Sequence, residues 1–177
     1  MTFTQHYDSP LGGILLAADE IGLNGLWFDG QKYFARGLSS EREERELPVL
    51  LEAKRWLDIY FTGKEPDFLP PLHPVGSAFR QLVWELLLQV PYGKTTTYGE
   101  IACKLAEKQK LPRMSAQAIG GAVGHNPISL MIPCHRVVGT NGSLTGYGGG
   151  IARKVKLLEL ERADMRRFFL PEKGTAL

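Results

Sequence analysis

A thiol and an imidazole stand side by side in Ile132-Pro133-Cys134-His135-Arg136-Val137-Val138, between a proline and a β-branched pair. Pro133 fixes its own φ and pushes Ile132 toward extended geometry, while Val137 and Val138 favour a strand, so a short, stiff segment is predicted around Cys134. A stiff thiol beside a base is a candidate nucleophile. A lone free cysteine is more often a small buried hydrophobe, so the neighbourhood has to decide between the two readings. An oriented imidazole needs a carboxylate or carbonyl on its second nitrogen. Glu161 shares a predicted helical arc with Ile151, Leu157 and Leu158, which tucks its carboxylate toward a core. His135 is one candidate partner for it and Lys154, on the same arc, is the other.

The elements around this segment follow from local signals. Ser77 to Val90 carries Phe79, Leu82, Val83, Leu86 and Leu87 at helical offsets and stops at Pro91-Tyr92-Gly93. Thr97-Tyr98-Gly99-Glu100 has the form of a capping box and opens a helix with Ile101 and Leu105 on its apolar face. A basic connector leads to Ser115, a reasonable cap for a second short helix over Ala116, Gln117, Ala118, Ile119, Gly120, Gly121, Ala122, Val123 and Gly124. Two helices joined by a short turn suggest a helix-turn-helix. Gly120 and Gly121 each cost about 1 kcal/mol relative to alanine inside a helix, so either a partner approaches closely there or a neighbouring helix packs tightly on them. Beyond Val138, Asn141-Gly142 predicts a hairpin turn. Gly146-Tyr147-Gly148-Gly149-Gly150 then leads into a helix from Ile151 to about Arg162; the loop could bring N–H groups to a ligand or serve as a joint, and it lacks the Gly-Lys-Ser/Thr of a P-loop.

Composition bounds the classes. The chain has 177 residues, 44% hydrophobic and 23% charged, which is globular and long enough to bury a core in one or two domains. No apolar run is long enough for a membrane span, and Met1-Thr2-Phe3-Thr4-Gln5 lacks the pattern of a signal peptide, so a soluble, cytoplasmic protein without a membrane partner is expected; a monomer is expected separately. Two cysteines, Cys103 and Cys134, make no disulfide scaffold, no metal-ligand spacing occurs, and no cofactor is expected. The formal charge of +2 hides an asymmetry: residues 1–75 hold 7 Lys/Arg against 12 Asp/Glu, and residues 76–177 hold 14 against 7. The basic second part could meet a polyanion.

In the first part, Thr2 to Tyr7, Gly13 to Ala18 and Gly22 to Phe28 read as strands of a small antiparallel sheet. Ser40 to Glu46 reads as a solvated loop or helix start. Val49, Leu50, Ala53, Trp56, Leu57, Tyr60 and Phe61 recur at helical spacing up to Gly63. The prolines at 66, 70, 71 and 74 then mark a linker, which predicts a sheet-and-helix domain over 1–75 and a second domain over 76–177.

Asn126-Pro127, Ile132-Pro133-Cys134-His135-Arg136-Val137-Val138, Gly142-x-Leu144-x-Gly146-Tyr147-x-Gly149-Gly150 and Lys154-x-x-Leu157-Leu158-x-x-Glu161 together resemble the signature of the O6-alkylguanine-DNA alkyltransferases, also called methylated-DNA-protein-cysteine methyltransferases. The resemblance runs from about residue 77 to 161. It implies an α+β protein with a ribonuclease-H-like N-terminal sheet and a mainly helical, winged-helix-like C-terminal domain whose helix-turn-helix enters the minor groove. Its partner would be double-stranded DNA containing O6-alkylguanine or O4-alkylthymine. It further implies Cys134 as the once-used alkyl acceptor, His135 as the base acting through a water, Glu161 as its charge partner and Asn126 as a hinge. Tyr98 would donate to the flipped base, Val137 and Cys134 would offer carbonyls to its amino group, Gly148 would give an N–H to O6, and Tyr147 would form a pocket wall. Ser115, Ala116, Gln117, Gly120, Gly121 and Arg136 would face DNA. Gln117 stands where most members carry an arginine that replaces the extruded nucleotide in the stack.

Two other classes would use parts of the same constellation. A Cys-His hydrolase would need a direct dyad, but neighbours on an extended strand point to opposite faces, which favours a bridging water instead. A non-catalytic lesion binder would have no need of Cys134.

Overall fold

The computed structural model describes residues 1–171. They form two compact units, one made of Met1–Val75 with Pro127–Met131, the other of Gly76–Asn126 with the chain from Ile132 onward.

In the first unit, β1 (Thr2–Ser9), β2 (Gly12–Ala18), β3 (Leu23–Phe28) and a short β4 (Arg42–Glu44) form a sheet in the order β3-β2-β1-β4. β1 and β2 are antiparallel, with Phe3 opposite Ala18 and Ser9 opposite Gly12. Their turn is closed by Ser9, whose Oγ donates to the Gly12 carbonyl at 2.6 Å and accepts from the Leu11 N–H at 3.1 Å. The charge run expected to be a loop or helix start is instead β4, which pairs parallel to β1 and makes the sheet mixed. Exposed arginine and glutamate suit an edge strand, where they discourage pairing with another chain.

Helix α1 (Pro48–Tyr60) begins on a proline, whose missing N–H costs nothing in a first turn. It buries Leu50, Ala53, Trp56, Leu57 and Tyr60 against β1, β2 and β3, at roughly 1.5–3 kcal/mol for each large side chain. Tyr7 donates to Asp58 at 2.6 Å and Lys54 to Gln5 at 2.8 Å, fixing the helix to β1. The proline-rich stretch is partly stitched to this unit: Leu23 N–H donates to Pro71 O and His73 N–H to Leu23 O. Pro127–Met131 is held in the same way, through Leu26 N–H to Pro127 O and Ser129 N–H to Leu26 O.

The second unit contains α2 (Ala78–Leu88), β5 (Thr96–Thr97), α3 (Tyr98–Lys108), α4 (Ala116–Gly124), β6 (Val137–Val138) and α5 (Ile151–Leu160). Hydroxyls cap three of the helices: Ser77 accepts from Arg80 N–H, Thr97 from Glu100 N–H and Ser115 from Ala118 N–H. The Thr97–Glu100 pair forms only half of the expected capping box, because the Glu100 carboxylate accepts from the Thr96 hydroxyl at 2.8 Å. α4 is anchored to α2 by the Trp84 indole, which donates to Ala122 O at 2.9 Å. Among the described residues no helix is long and apolar enough to cross a membrane.

Candidate active site

The segment expected to be extended at Cys134 is a single turn of 3-10 helix, Cys134–Arg136, and only Val137–Val138 continues as strand, parallel to Thr96–Thr97. Pro133 enters the turn with φ −81° and ψ 66°. Successive side chains on such a turn diverge by about 120°, so Cys134 and His135 are not on opposite faces as they would be in a strand. The Asn126 side chain, at the end of α4, donates to Ile132 O at 2.7 Å and so ties the helix to the chain just before Cys134.

The α5 carboxylate selects His135 over Lys154. His135 Nε2 is 2.6 Å from Glu161 Oε2, and both side chains are fully buried. Glu161 is the C-cap of α5, one residue past Leu160, and its Oε1 also accepts from the Gly93 N–H at 3.1 Å. Gly93 has φ +76°, and a Cβ on it would stand 2.9 Å from Glu161 O, so this turn requires glycine. Sequence reading used Gly93 only as a helix terminator; no local signal tells a turn glycine from one that also donates to a distant carboxylate.

Arg136, expected among the DNA-facing residues, is turned inward. Its guanidinium bonds Glu161 through Nε at 2.8 Å and Nη2 at 3.2 Å, and Val90 O through Nη1 at 2.8 Å, and the residue is buried. An internal carboxylate left with imidazole alone would be poorly balanced, which is why the cation goes to it rather than to the surface.

Lys154 is also fully buried, but its Nζ donates to Val137 O and, at 2.7 Å, to Thr145 O. The Val137 carbonyl, expected to meet a base amino group, thus has one lone pair in use, as does Cys134 O, which accepts from Val137 N–H. Thr145 O also accepts from the Tyr98 hydroxyl at 3.2 Å. The glycine-rich loop packs on these aromatics: a Cβ at Gly146 would lie 2.6 Å from Tyr98 Oη, and one at Gly149 would lie 2.5 Å from the Tyr147 ring. The buried Tyr147 ring stands edge-on to His135, with centroids 6.4 Å apart. Gly148 is half-buried in the same loop. The predicted turn at Asn141-Gly142 forms, with Gly142 at φ +94°, but its far arm pairs Leu144 with Phe169 and not with β6.

Burial pushes the Cys134 thiol up, and the Asn126 side chain and the Lys154 ammonium pull it back only partly. Burial pushes His135 down, with Glu161 opposing and Arg136 and Lys154 reinforcing the shift. Burial would raise the Glu161 carboxyl, but His135 and Arg136 hold it well below the usual carboxylate range. Lys154 is lowered by burial to about 8. Burial, followed by the neighbouring Cys134, raises the Tyr98 hydroxyl. At rest the cluster is therefore a protonated thiol, a neutral imidazole and an ionised carboxylate.

Ser115, Ala116 and Gln117 lie exposed on the first turn of α4, and Gly121 is exposed on the next. A Cβ added at Gly120 or Gly121 meets nothing within 4 Å, so tight internal packing does not explain these glycines. A cavity of about 430 Å³ beside β5 and β6 is lined by Thr95, Thr97, Thr140 and Arg167 among others, and includes neither Cys134 nor His135.

Comparison with known proteins finds matches over almost the whole chain. The family model for the 6-O-methylguanine DNA methyltransferase DNA binding domain matches residues 78–163, and that for the ribonuclease-like domain of the same methyltransferase matches residues 3–74. The methylated-DNA-protein-cysteine methyltransferase of Haemophilus influenzae is 37% identical over 158 residues, covering 89% of this chain and 84% of its own. That of Methanosarcina acetivorans is 42% identical over 155 residues, covering 88% and 95%. The crystal structure of Mycobacterium tuberculosis OGT in complex with DNA superposes with a TM-score of 0.77 at 40% identity, over 90% of this chain and 92% of that one. With both halves of the chain matched in order, it belongs to the 6-O-methylguanine DNA methyltransferase family.

Proposed function

We propose that this chain repairs alkylated DNA by moving the alkyl group of O6-alkylguanine, and of O4-alkylthymine, irreversibly onto Cys134. The observation that carries this reading is the sealed His135–Glu161 pair next to a buried thiol. His135 Nε2 faces Glu161, so Nδ1 is the nitrogen that takes the thiol proton through a water. The sulfur lone pair then attacks the alkyl carbon, the C–S bond forms, the C–O6 bond breaks, and its electrons leave on the base. The Tyr98 hydroxyl, released from Thr145 O, donates to that departing base. Gly148 and the Cys134 and Val137 carbonyls frame the base, and Tyr147 walls the pocket.

Magnitudes rank these contributions. An ordinary thiol is a few per cent thiolate at neutral pH, so complete deprotonation gains roughly 30-fold, or about 2 kcal/mol. Burial raises the Cys134 thiol, which makes the base more necessary here. Holding the carbon in line with sulfur offsets about 7–11 kcal/mol, so positioning by Pro133, Asn126 and the DNA contacts outweighs activation. The alkyl carbon is inaccessible in a stacked duplex, so the base must be turned out at a cost of a few kcal/mol. Ser115, Ala116, Gln117, Gly120 and Gly121 form the face of α4 that approaches the groove, with Gln117 filling the gap in the stack. The protein works as a monomer in the cytoplasm, on DNA.

Cys134→Ala tests the assignment. It should still bind duplex carrying O6-methylguanine and accept no methyl group. Methyl transfer by this variant would exclude Cys134 as acceptor, and repeated turnover by the unaltered protein would point to a hydrolase.

A further inference from the structure

The transfer chemistry above leaves the buried guanidinium of Arg136 without a role. Each Glu161 oxygen accepts from two donors: Oε2 from His135 Nε2 and Arg136 Nη2, and Oε1 from Arg136 Nε and the Gly93 N–H. Arg136 is in turn fixed by Val90 O, and its guanidinium lies 5.7 Å from the centre of the Tyr92 ring. These contacts hold the fork against both Glu161 oxygens, and it sets the carboxylate plane that His135 meets.

We propose that Arg136 is a positioning residue for alkyl transfer, holding Glu161 in line with His135 Nε2 while sharing its negative charge, so that His135 stays neutral at rest and able to accept the Cys134 proton. This inference rests on the proposed transfer reaction. A carboxylate facing an imidazole alone stabilises the imidazolium strongly and would leave a base already protonated. With Arg136 on the same carboxylate, that charge is already balanced. The groups facing His135 include Arg136 on its own turn, Lys154 and Glu161 at α5, and Tyr147 from the loop, with the Cys134 thiol next to it in sequence. Of these, Glu161 favours the protonated ring, and Arg136 is the cation bonded directly to it. In the step itself the S–H bond breaks, an N–H bond forms at Nδ1 through the water, and the electron pair stays on sulfur. The charge of the cluster does not change.

The test is an NMR titration of the His135 ring in the full-length resting protein, alongside the pH profile of single-turnover methyl transfer. In Arg136→Met the His135 midpoint should rise by one unit or more, and the relative loss of transfer should grow as pH falls through that raised midpoint, approaching tenfold per unit of rise only below the midpoint of the unaltered protein. Arg136→Lys keeps the charge and loses the fork. Its midpoint should stay close to that of the unaltered protein while transfer slows about tenfold at every pH. An unmoved midpoint in Arg136→Met overturns the electrostatic half of the proposal; full transfer by Arg136→Lys overturns the positioning half, and that variant is read alone if Arg136→Met does not fold. The titration uses no DNA, so failure of the unaltered protein to accept a methyl group would refute the transfer reading separately.

Discussion

His135 Nε2 and Glu161 Oε2 are 2.6 Å apart with no solvent access to either side chain, which makes the imidazole an oriented and dry proton acceptor. Everything bonded to Glu161 acts on His135 through this contact. Arg136 and Gly93 fix the carboxylate, and α5 ends where it must be presented.

Glu161→Gln should slow methyl transfer by about 100-fold or more, the usual scale for losing an oriented base, in a single-turnover assay. Its cost in stability should depend on pH. The folded carboxyl lies below its unfolded value, so its contribution is complete above about pH 5 and is lost as pH falls through the lower folded value. Urea unfolding should therefore show the variant clearly weaker at pH 7, with the gap closing under acid. A constant gap would contradict the ionised state assigned to Glu161.

Lys154→Met removes a cation that lowers the Cys134 thiol. The pH profile of Cys134 labelling by iodoacetamide should move up, with labelling at pH 7.5 slowed on the order of tenfold if the shift is one unit. The exposed Cys103 supplies a reference in the same molecule. Equal labelling of Cys134 in both proteins would remove Lys154 from the electrostatics of the site.

Gly121→Ala adds a methyl group where nothing lies within 4 Å. It should raise folding stability by up to about 1 kcal/mol through helix propensity while weakening binding to DNA. A variant that is more stable and binds as before would mean that this face of α4 does not approach the duplex.

Gln117→Arg should tighten DNA binding and steepen its dependence on salt by roughly one counterion, measured as the slope of log Kd against log salt. An unchanged slope would place Gln117 away from the phosphates and the stack.

Local signals made much of the fold legible. Short β-leaning runs between turn residues marked β1 to β3, helical spacing gave α1 and α2, and Ser115 and Thr97 marked the starts of α4 and α3. What sequence reading missed depends on distant partners. β4 is a run of charges that becomes a strand only because β1 offers an edge, and Pro127–Met131 returns to the first unit because Leu26 has free backbone groups to pair. In the site, the arc of α5 predicted a buried Glu161 but could not choose between His135 and Lys154 as its partner. That choice is made by the carbonyls of Val137 and Thr145, which claim the lysine. Arg136, expected among the DNA-facing residues, is drawn inward by a partner that no local signal announces, the Glu161 carboxylate.

The most direct measurement is the mass of the peptide holding Cys134 after the protein has been incubated with duplex carrying O6-methylguanine. A gain of about 14 Da on that peptide, at most one per molecule and with Cys103 unchanged, is expected when a methyl group replaces the thiol hydrogen. An unshifted Cys134 peptide from a protein shown to bind that duplex would contradict the account.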